Sequence, residues 1–347
     1  MTDLILGRDR RAGRITLNRP EALNTLTHGM VTSIRDALKD WRDAPDVDLI
    51  VIDAKGDRAF CAGGDIATLY SQITTGDLES GRAFWRDEYR MNAELAGYPK
   101  PVIALLKGFT MGGGVGLGCH VRHRIVGQSA RIAMPECSIG LVPDVGGTLL
   151  LSRAPGRLGA YLALTAERMG PGEAIVAGFA DLHIAEPDWP ALVEDLCETG
   201  RLDALTKAAK AAPASRFADQ AAAIDRLFAG DDLAQILTRL AADPTPFAAE
   251  CAAKLARNAP LAMAATLQLL AMARGDDSLR SALTREYRFS HRSLEQGDFA
   301  EGIRARIIEK DNAPRWHHGP NALPNPAEVA AMLAPLGSSD LTWRESA

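Results

Sequence analysis

Two carboxylates stand eight positions apart in the otherwise uncharged stretch Ala133-Met134-Pro135-Glu136-Cys137-Ser138-Ile139-Gly140-Leu141-Val142-Pro143-Asp144-Val145-Gly146-Gly147. A carboxylate among apolar neighbours tends to have a perturbed pKa and can serve as an acid, a base or a nucleophile. Each follows a proline, which predicts a turn at the rim of a cleft for both Glu136 and Asp144. The plainer readings are a helix cap or solvated turn residue at Glu136, and an N-cap at Asp144 for a helix beginning near Val145. Upstream lie two glycine clusters, Ala59-Phe60-Cys61-Ala62-Gly63-Gly64-Asp65 and Met111-Gly112-Gly113-Gly114-Val115-Gly116-Leu117-Gly118. Glycine lets a backbone turn tightly and lets a ligand approach its N–H groups. Two such groups from separate loops could converge on one carbonyl oxygen as an oxyanion hole, where one donor is worth ~3 kcal/mol in the transition state. The competing reading is close packing of strand on helix. Neither cluster is a nucleotide loop: no Gly-Lys-Ser/Thr occurs, and a dinucleotide fingerprint begun at Gly112 fails at Leu117. Nor is there a GxSxG elbow, since Ser138 has Glu136 before it.

These residues need elements to hold them. Arg14-Ile15-Thr16-Leu17-Asn18 alternates with the period of a half-buried strand, and Leu49–Ile52 and Val102–Leu106 are apolar runs typical of buried strands. Ile125-Val126 and Arg131-Ile132-Ala133 predict two more. Thr27 offers an N-cap to a helix with Met30, Ile34, Leu38 and Trp41 on one face. Strands alternating with helices predict an α/β core over residues 1–190. After Trp189 alanine and leucine dominate, which predicts a helical region over 191–347. Its helices are expected at Leu202–Ala211, Ala218–Phe228, Leu233–Ala241, Pro246–Ala256, Pro260–Ala273, Leu279–Gln296, Phe299–Ile308 and Ala327–Leu333, with a surface tail over Pro314–Pro326.

Composition narrows the classes. At 347 residues the chain is long enough to bury a large core without staples. Lys plus Arg is 39 against 44 Asp plus Glu, a net charge of −5 that argues against a nucleic-acid partner. No stretch approaches the ~20 apolar residues of a membrane helix, and Met1–Arg14 lacks the apolar segment of a secretory signal. The five cysteines are widely spaced with no CxxC, which fits a reducing, cytoplasmic compartment. The seven histidines show no metal-ligand spacing, and His317-His318 reads as a solvated pair. No metal or separate cofactor is expected.

Asn18-Arg19-Pro20-Glu21-Ala22-Leu23-Asn24, Ala59–Ile66, Met111–Gly118 and Met134–Thr148 resemble the successive motifs of the enoyl-CoA hydratase/isomerase (crotonase) superfamily. The resemblance is closer still to its 3-hydroxyisobutyryl-CoA hydrolases. It takes in Phe84-Trp85-Arg86-Asp87-Glu88-Tyr89, Tyr161–Thr165, Thr284-Arg285-Glu286-Tyr287-Arg288, Asp298–Gly302 and Glu309-Lys310-Asp311. It implies a crotonase-like spiral of repeated ββα units with a helical C-terminal region, and an acyl-CoA thioester as the small-molecule partner. Gly64 and Gly113 fall where the family presents its two oxyanion-hole N–H groups. Backbone groups around Ala22–Leu23 and Ala59–Ala62 would bind the ligand, with Leu23 and Ala62 as contacts and Lys55, Arg58 and Lys310 as candidates for the CoA phosphates. The resemblance leaves a homo-oligomer open, since relatives are often built on trimers while the helical C-terminal region could cover that surface.

Hydratases of the superfamily use two glutamates, of which the second matches Glu136. The first should stand at position 116, and Gly116 offers only a hydrogen atom there. Hydratases usually carry glycine where this chain has Asp144; the hydrolase relatives share this Glu/Asp arrangement. The resemblance thus implies hydrolysis of a short 3-hydroxyacyl-CoA with Glu136 and Asp144 as catalytic residues, and Glu88 as a substrate contact. Two other readings are enoyl-CoA hydration or isomerisation on the same fold, and a catalytically silent acyl-CoA-binding protein.

Overall fold

The computed structural model describes residues 2–319 and 322–343, so Pro320 and Asn321 of the expected surface tail, and residues 344–347, lie outside the described residues. Packing divides the chain into two units, each drawn from three segments. This division differs from the boundary at residue 190 read from composition. Residues 65–86 and 134–167, although early in the chain, belong with the C-terminal helices.

The first unit comprises residues 2–64, 87–133 and 168–216 and holds both sheets. Its strands are β1 (Leu4–Asp9), β2 (Ala12–Leu17), β3 (Leu49–Ala54), β4 (Ala59–Cys61), β5 (Val102–Leu106), β6 (Phe109–Met111), β7 (His123–Val126), β8 (Arg131–Ala133) and β9 (Leu182–His183). The six-stranded sheet has the order β1-β2-β3-β5-β7-β9, antiparallel only between β1 and β2. The smaller sheet, β4-β6-β8, is parallel throughout. Each of β3, β5 and β7 is followed in the chain by one strand of the small sheet, which is the expected ββα repeat. β3 and β5 are the buried apolar runs: Leu49, Val51, Ile103 and Leu105 pack with Ile125 against Trp189, Leu192 and Leu196 of the helix Trp189–Thr199. Alternate residues share a face, so one strand period sets this core.

Thr27 caps the helix His28–Arg42 as expected, its hydroxyl accepting the Met30 N–H at 3.2 Å. A Cβ on Gly13 of β2 would stand 2.5 Å from the Trp41 ring, so glycine there admits this helix to the sheet. β1 has no buried run to announce it. It is a half-exposed edge strand, joined to β2 by a two-residue turn with Arg10 at φ 52°.

The second unit comprises residues 65–86 and 134–167 together with the described part of the chain from 217 onward. Its helices at Phe217–Leu227, Leu233–Ala242, Pro246–Leu255, Pro260–Gly275, Leu279–Ser293 and Pro326–Leu333 fall close to the expected ranges. Pro260–Gly275 is buried on most of its surface and packs on the helices Gly147–Arg153, Leu158–Thr165, Leu279–Ser293 and Pro326–Leu333. Expected as one helix, 299–308 divides into Phe299–Ile303 and a π-helical turn, Arg304–Ile308, closed by Glu309 N–H to Arg304 O at 2.8 Å. Expected Leu202–Ala211, in the first unit, shortens to Asp203–Ala208, because Lys210 N–H turns to pair with His183 O at 2.9 Å. Among the described residues no helix is long and apolar enough to cross a membrane.

Candidate active site

In the first unit the two glycine clusters meet. Gly63 takes φ +119°, a conformation open to glycine, and its carbonyl accepts the Leu26 N–H at 2.9 Å. Gly113 is the first residue of the helix Gly113–Gly118, so its N–H has no acceptor within that helix. A Cβ on Gly113 would stand 3.3 Å from Gly64 N, and one on Gly63 4.0 Å from Gly113 N. The two N–H groups therefore come from adjoining backbone. Gly114 makes the approach feasible: its Cβ would stand 2.1 Å from Cys61 O.

Glu88 reaches the same place from the helix Leu78–Ala96. It is buried, and its Oε1 would lie 2.5 Å from a Cβ on Gly113. This helix was not expected from the sequence as an element, although Trp85, Glu88, Tyr89, Asn92 and Leu95 recur at helical spacing on its buried side. Leu23 and Ala62 are joined by Ala62 N–H donating to Leu23 O at 3.0 Å. Leu23 and Asn24 both have positive φ, 53° and 57°. Asn24, whose residue type alone does not announce the role, holds that turn. Its Nδ2 donates to Lys55 O and Ala59 O, each at 3.0 Å, and its Oδ1 accepts the Arg19 N–H at 2.8 Å. Lys55 and Arg58 are anchored beside this turn through their backbone and expose their side chains.

In the second unit Glu136 opens a single 3₁₀ turn, Glu136–Ile139, after Pro135. It is only 4% exposed, which excludes a solvated turn residue. Cys137 O accepts the Ala259 N–H at 2.9 Å. Gly140, at φ 77°, has no room for a Cβ against the Asp298 backbone. The turn is thus pinned on two sides without use of the Glu136 side chain.

Asp144 is equally buried, at 5% exposure, but does not cap a helix. Its carbonyl accepts the Gly147 N–H at 2.6 Å across a turn whose central residues, Val145 (φ 52°) and Gly146 (φ 81°), are both left-handed. The helix begins only at Gly147, and the capping carboxylate comes from Glu286 on the helix Leu279–Ser293. Glu286 accepts the N–H groups of Gly146 (2.7 Å) and Thr148 (3.0 Å) and the Thr148 hydroxyl. Burial pushes its pKa up to about 8, against the pull of these donors and with the Asp144 charge adding to the rise. The sequence carried a signal for it: Ala282, Leu283, Tyr287 and Ser290 form a buried stripe, and a carboxylate at 286 falls on it. Lys310 is exposed at φ 59° in the same unit. Among the described residues no three His, Cys, Asp or Glu side chains gather as a metal site.

Cys61 and Cys137 adjoin these features, yet burial pushes both thiols up to about 12. All five cysteines are free and buried. The native protein is therefore expected to react negligibly with a disulfide reagent at neutral pH, and to titrate five thiols once denatured. Rapid labelling of Cys61 or Cys137 in the native state would contradict this.

The enoyl-CoA hydratase/isomerase family model matches residues 12–333. The chain belongs to that family. It is 37% identical over 352 residues to the mitochondrial 3-hydroxyisobutyryl-CoA hydrolase of Rattus norvegicus, covering 98% of this chain and 91% of that one. The Homo sapiens protein of the same name is 35% identical over 355 residues, with the same coverage. Among solved structures, one described as an enoyl-CoA hydratase from Rhodobacter sphaeroides 2.4.1 has a TM-score of 0.93 at 55% identity, covering 99% of this chain and 100% of that one. Another, described as a carnitinyl-CoA dehydratase from Mycobacterium thermoresistibile, has a TM-score of 0.94 at 39% identity, each chain covered in full.

Proposed function

We propose that this protein hydrolyses a short 3-hydroxyacyl-CoA thioester, with 3-hydroxyisobutyryl-CoA as the expected substrate. The observation that carries the reading is Gly116. It lies in a helix buried along its whole length, at the position where the family's hydratases place an acid–base carboxylate, and supplies none. The names of the Rattus norvegicus and Homo sapiens relatives point the same way.

In this reading the Gly64 and Gly113 N–H groups polarise the thioester carbonyl and hold the charge on its oxygen as the carbon becomes tetrahedral. Glu136 either takes a proton from an attacking water or attacks the carbonyl itself, giving an anhydride that water then opens. On either route the C–S bond breaks, CoA leaves as thiolate and takes up a proton, and the acid is released. Asp144 binds the substrate hydroxyl or assists proton transfer, and Glu88 orients the acyl end. Lys55, Arg58 and Lys310 are offered to the CoA phosphates. A cytoplasmic location is part of the proposal, although the relatives named above are mitochondrial.

Hydration or isomerisation of an enoyl-CoA is the second reading, favoured by the descriptions of the two solved structures. Thiol release from 3-hydroxyisobutyryl-CoA, set against loss of the conjugated absorbance of crotonyl-CoA, separates the two. Hydrolysis without hydration supports the first; the reverse overturns it. Binding of both esters with turnover of neither would favour the silent acyl-CoA-binding protein. A smaller effect is expected at the surface. An exposed ion pair is worth about 1 kcal/mol at most, so Lys55→Ala should raise KM for the ester by up to about fivefold at unchanged kcat, the increase fading at high salt.

A further inference from the structure

We propose that Glu286 is a positioning residue, whose carboxylate holds the turn 144–147 in its left-handed form and thereby sets where the Asp144 side chain stands. The inference rests on the reading that Asp144 acts on the substrate hydroxyl.

The turn does not favour this form by itself. Two successive residues at positive φ suit Asn, Asp or Gly, and Val145 is β-branched, among the least tolerant of residues there. Such a conformation persists only where the surroundings over-determine it. One side chain supplies part of those surroundings. Glu286 grips the segment on both sides of Gly147, through Gly146 N–H by one oxygen and through Thr148 N–H and hydroxyl by the other. Gly146 and Thr148 flank the start of the helix, and Asp144 lies two residues before Gly146. If the grip loosens, Val145 can relax to negative φ, and the residue beside it swings. Glu286 itself is fully buried, on a face shared with Leu283 and Tyr287. A carboxylate in that place carries a desolvation cost, offset by the three donors of the 146–148 segment that it accepts.

The test uses the full-length protein and two esters, 3-hydroxyisobutyryl-CoA and isobutyryl-CoA, which lacks the hydroxyl. The ratio of their kcat/KM values reads the hydroxyl contact. Asp144→Asn should collapse the ratio by about tenfold or more. Glu286→Gln, which keeps one acceptor oxygen but turns an amide N–H toward a donor, should lower the same ratio about tenfold while the rate on isobutyryl-CoA stays within about twofold. Thr148→Val, which removes one donor at constant volume, should lower it less and in the same direction. If Asp144→Asn leaves the ratio unchanged, the reading of Asp144 fails. If Asp144→Asn collapses it and neither Glu286→Gln nor Thr148→Val moves it, the positioning role fails. A crystal structure of Glu286→Gln tests the role independently of any turnover. Displacement of the Asp144 carboxylate with Val145 at negative φ supports it, and an unmoved turn overturns it.

Discussion

Glu136→Gln is expected to fold normally and to lose thiol release from 3-hydroxyisobutyryl-CoA by about 10²–10⁴-fold, the contribution of a positioned acid–base group. If Glu136 is the nucleophile, the loss lies at or beyond the upper end of that range. Glutamine matches glutamate in shape, so the buried space stays filled. The 3₁₀ turn at 136–139 is pinned by Ala259 N–H to Cys137 O and by the Gly140–Asp298 contact, neither of which uses the replaced carboxylate. The melting temperature should therefore stay within a few degrees, and KM should change little. A variant that releases thiol at the parent rate would remove Glu136 from the mechanism. A variant that is slow because it is unfolded would show itself in the melting curve and would contradict the stated geometry.

The second large effect is steric. Gly114→Ala places a methyl group 2.1 Å from Cys61 O, where no side-chain rotation can make room, because both partners are backbone. Cys61 leads directly into Ala62-Gly63-Gly64, and Gly114 follows Gly113, so the new methyl wedges apart the two loops that carry the proposed donors. Loss of one oxyanion donor costs about 2.7–4 kcal/mol, or roughly 10²–10³ in kcat. Overpacking adds about 1–3 kcal/mol of destabilisation. Gly275→Ala is the matched control. Nothing lies within 4 Å of its added Cβ and its φ is not left-handed, so the rate should be unchanged, with stability equal or higher by up to about 1 kcal/mol. Equal rates for the two alanine variants would sink the view that the spacing of these loops matters.

The strands β3 and β5 were legible as apolar runs because a strand covered on both faces leaves little that is polar in its sequence, Asp53 near the end of β3 being the exception. The C-terminal helices were legible for a similar reason: their apolar residues recur over ten to sixteen residues, as a stripe in Leu233–Ala242 and on most sides in Pro260–Gly275. The short strands β4 and β6 were not, since three residues carry no period, whereas β8, equally short, was expected at Arg131–Ala133 and forms there. The helix bearing Glu88 was not expected, because polar Glu88 and Asn92 interrupt its buried stripe of Trp85, Tyr89 and Leu95. Expected helix ends failed where a tertiary contact took over the backbone, as at Lys210 with His183 and in the π-helical turn after Ile303.

By itself the sequence determined the chemistry on offer: buried-type carboxylates at 136 and 144, two glycine loops able to present N–H groups, and no side chain at 116. These are properties of residue type and near spacing, and they survive any fold that keeps the local segments. Tertiary structure decided how those groups are held. Asp144 reads locally as a helix cap, since an aspartate before Val-Gly-Gly is a good one. Glu286, 142 positions later, takes that task and leaves Asp144 on a left-handed turn. The physical reason is that a cap needs only an acceptor at the helix start, and the chain can bring that acceptor from anywhere. Local sequence reports the need for one; only packing reports which residue meets it.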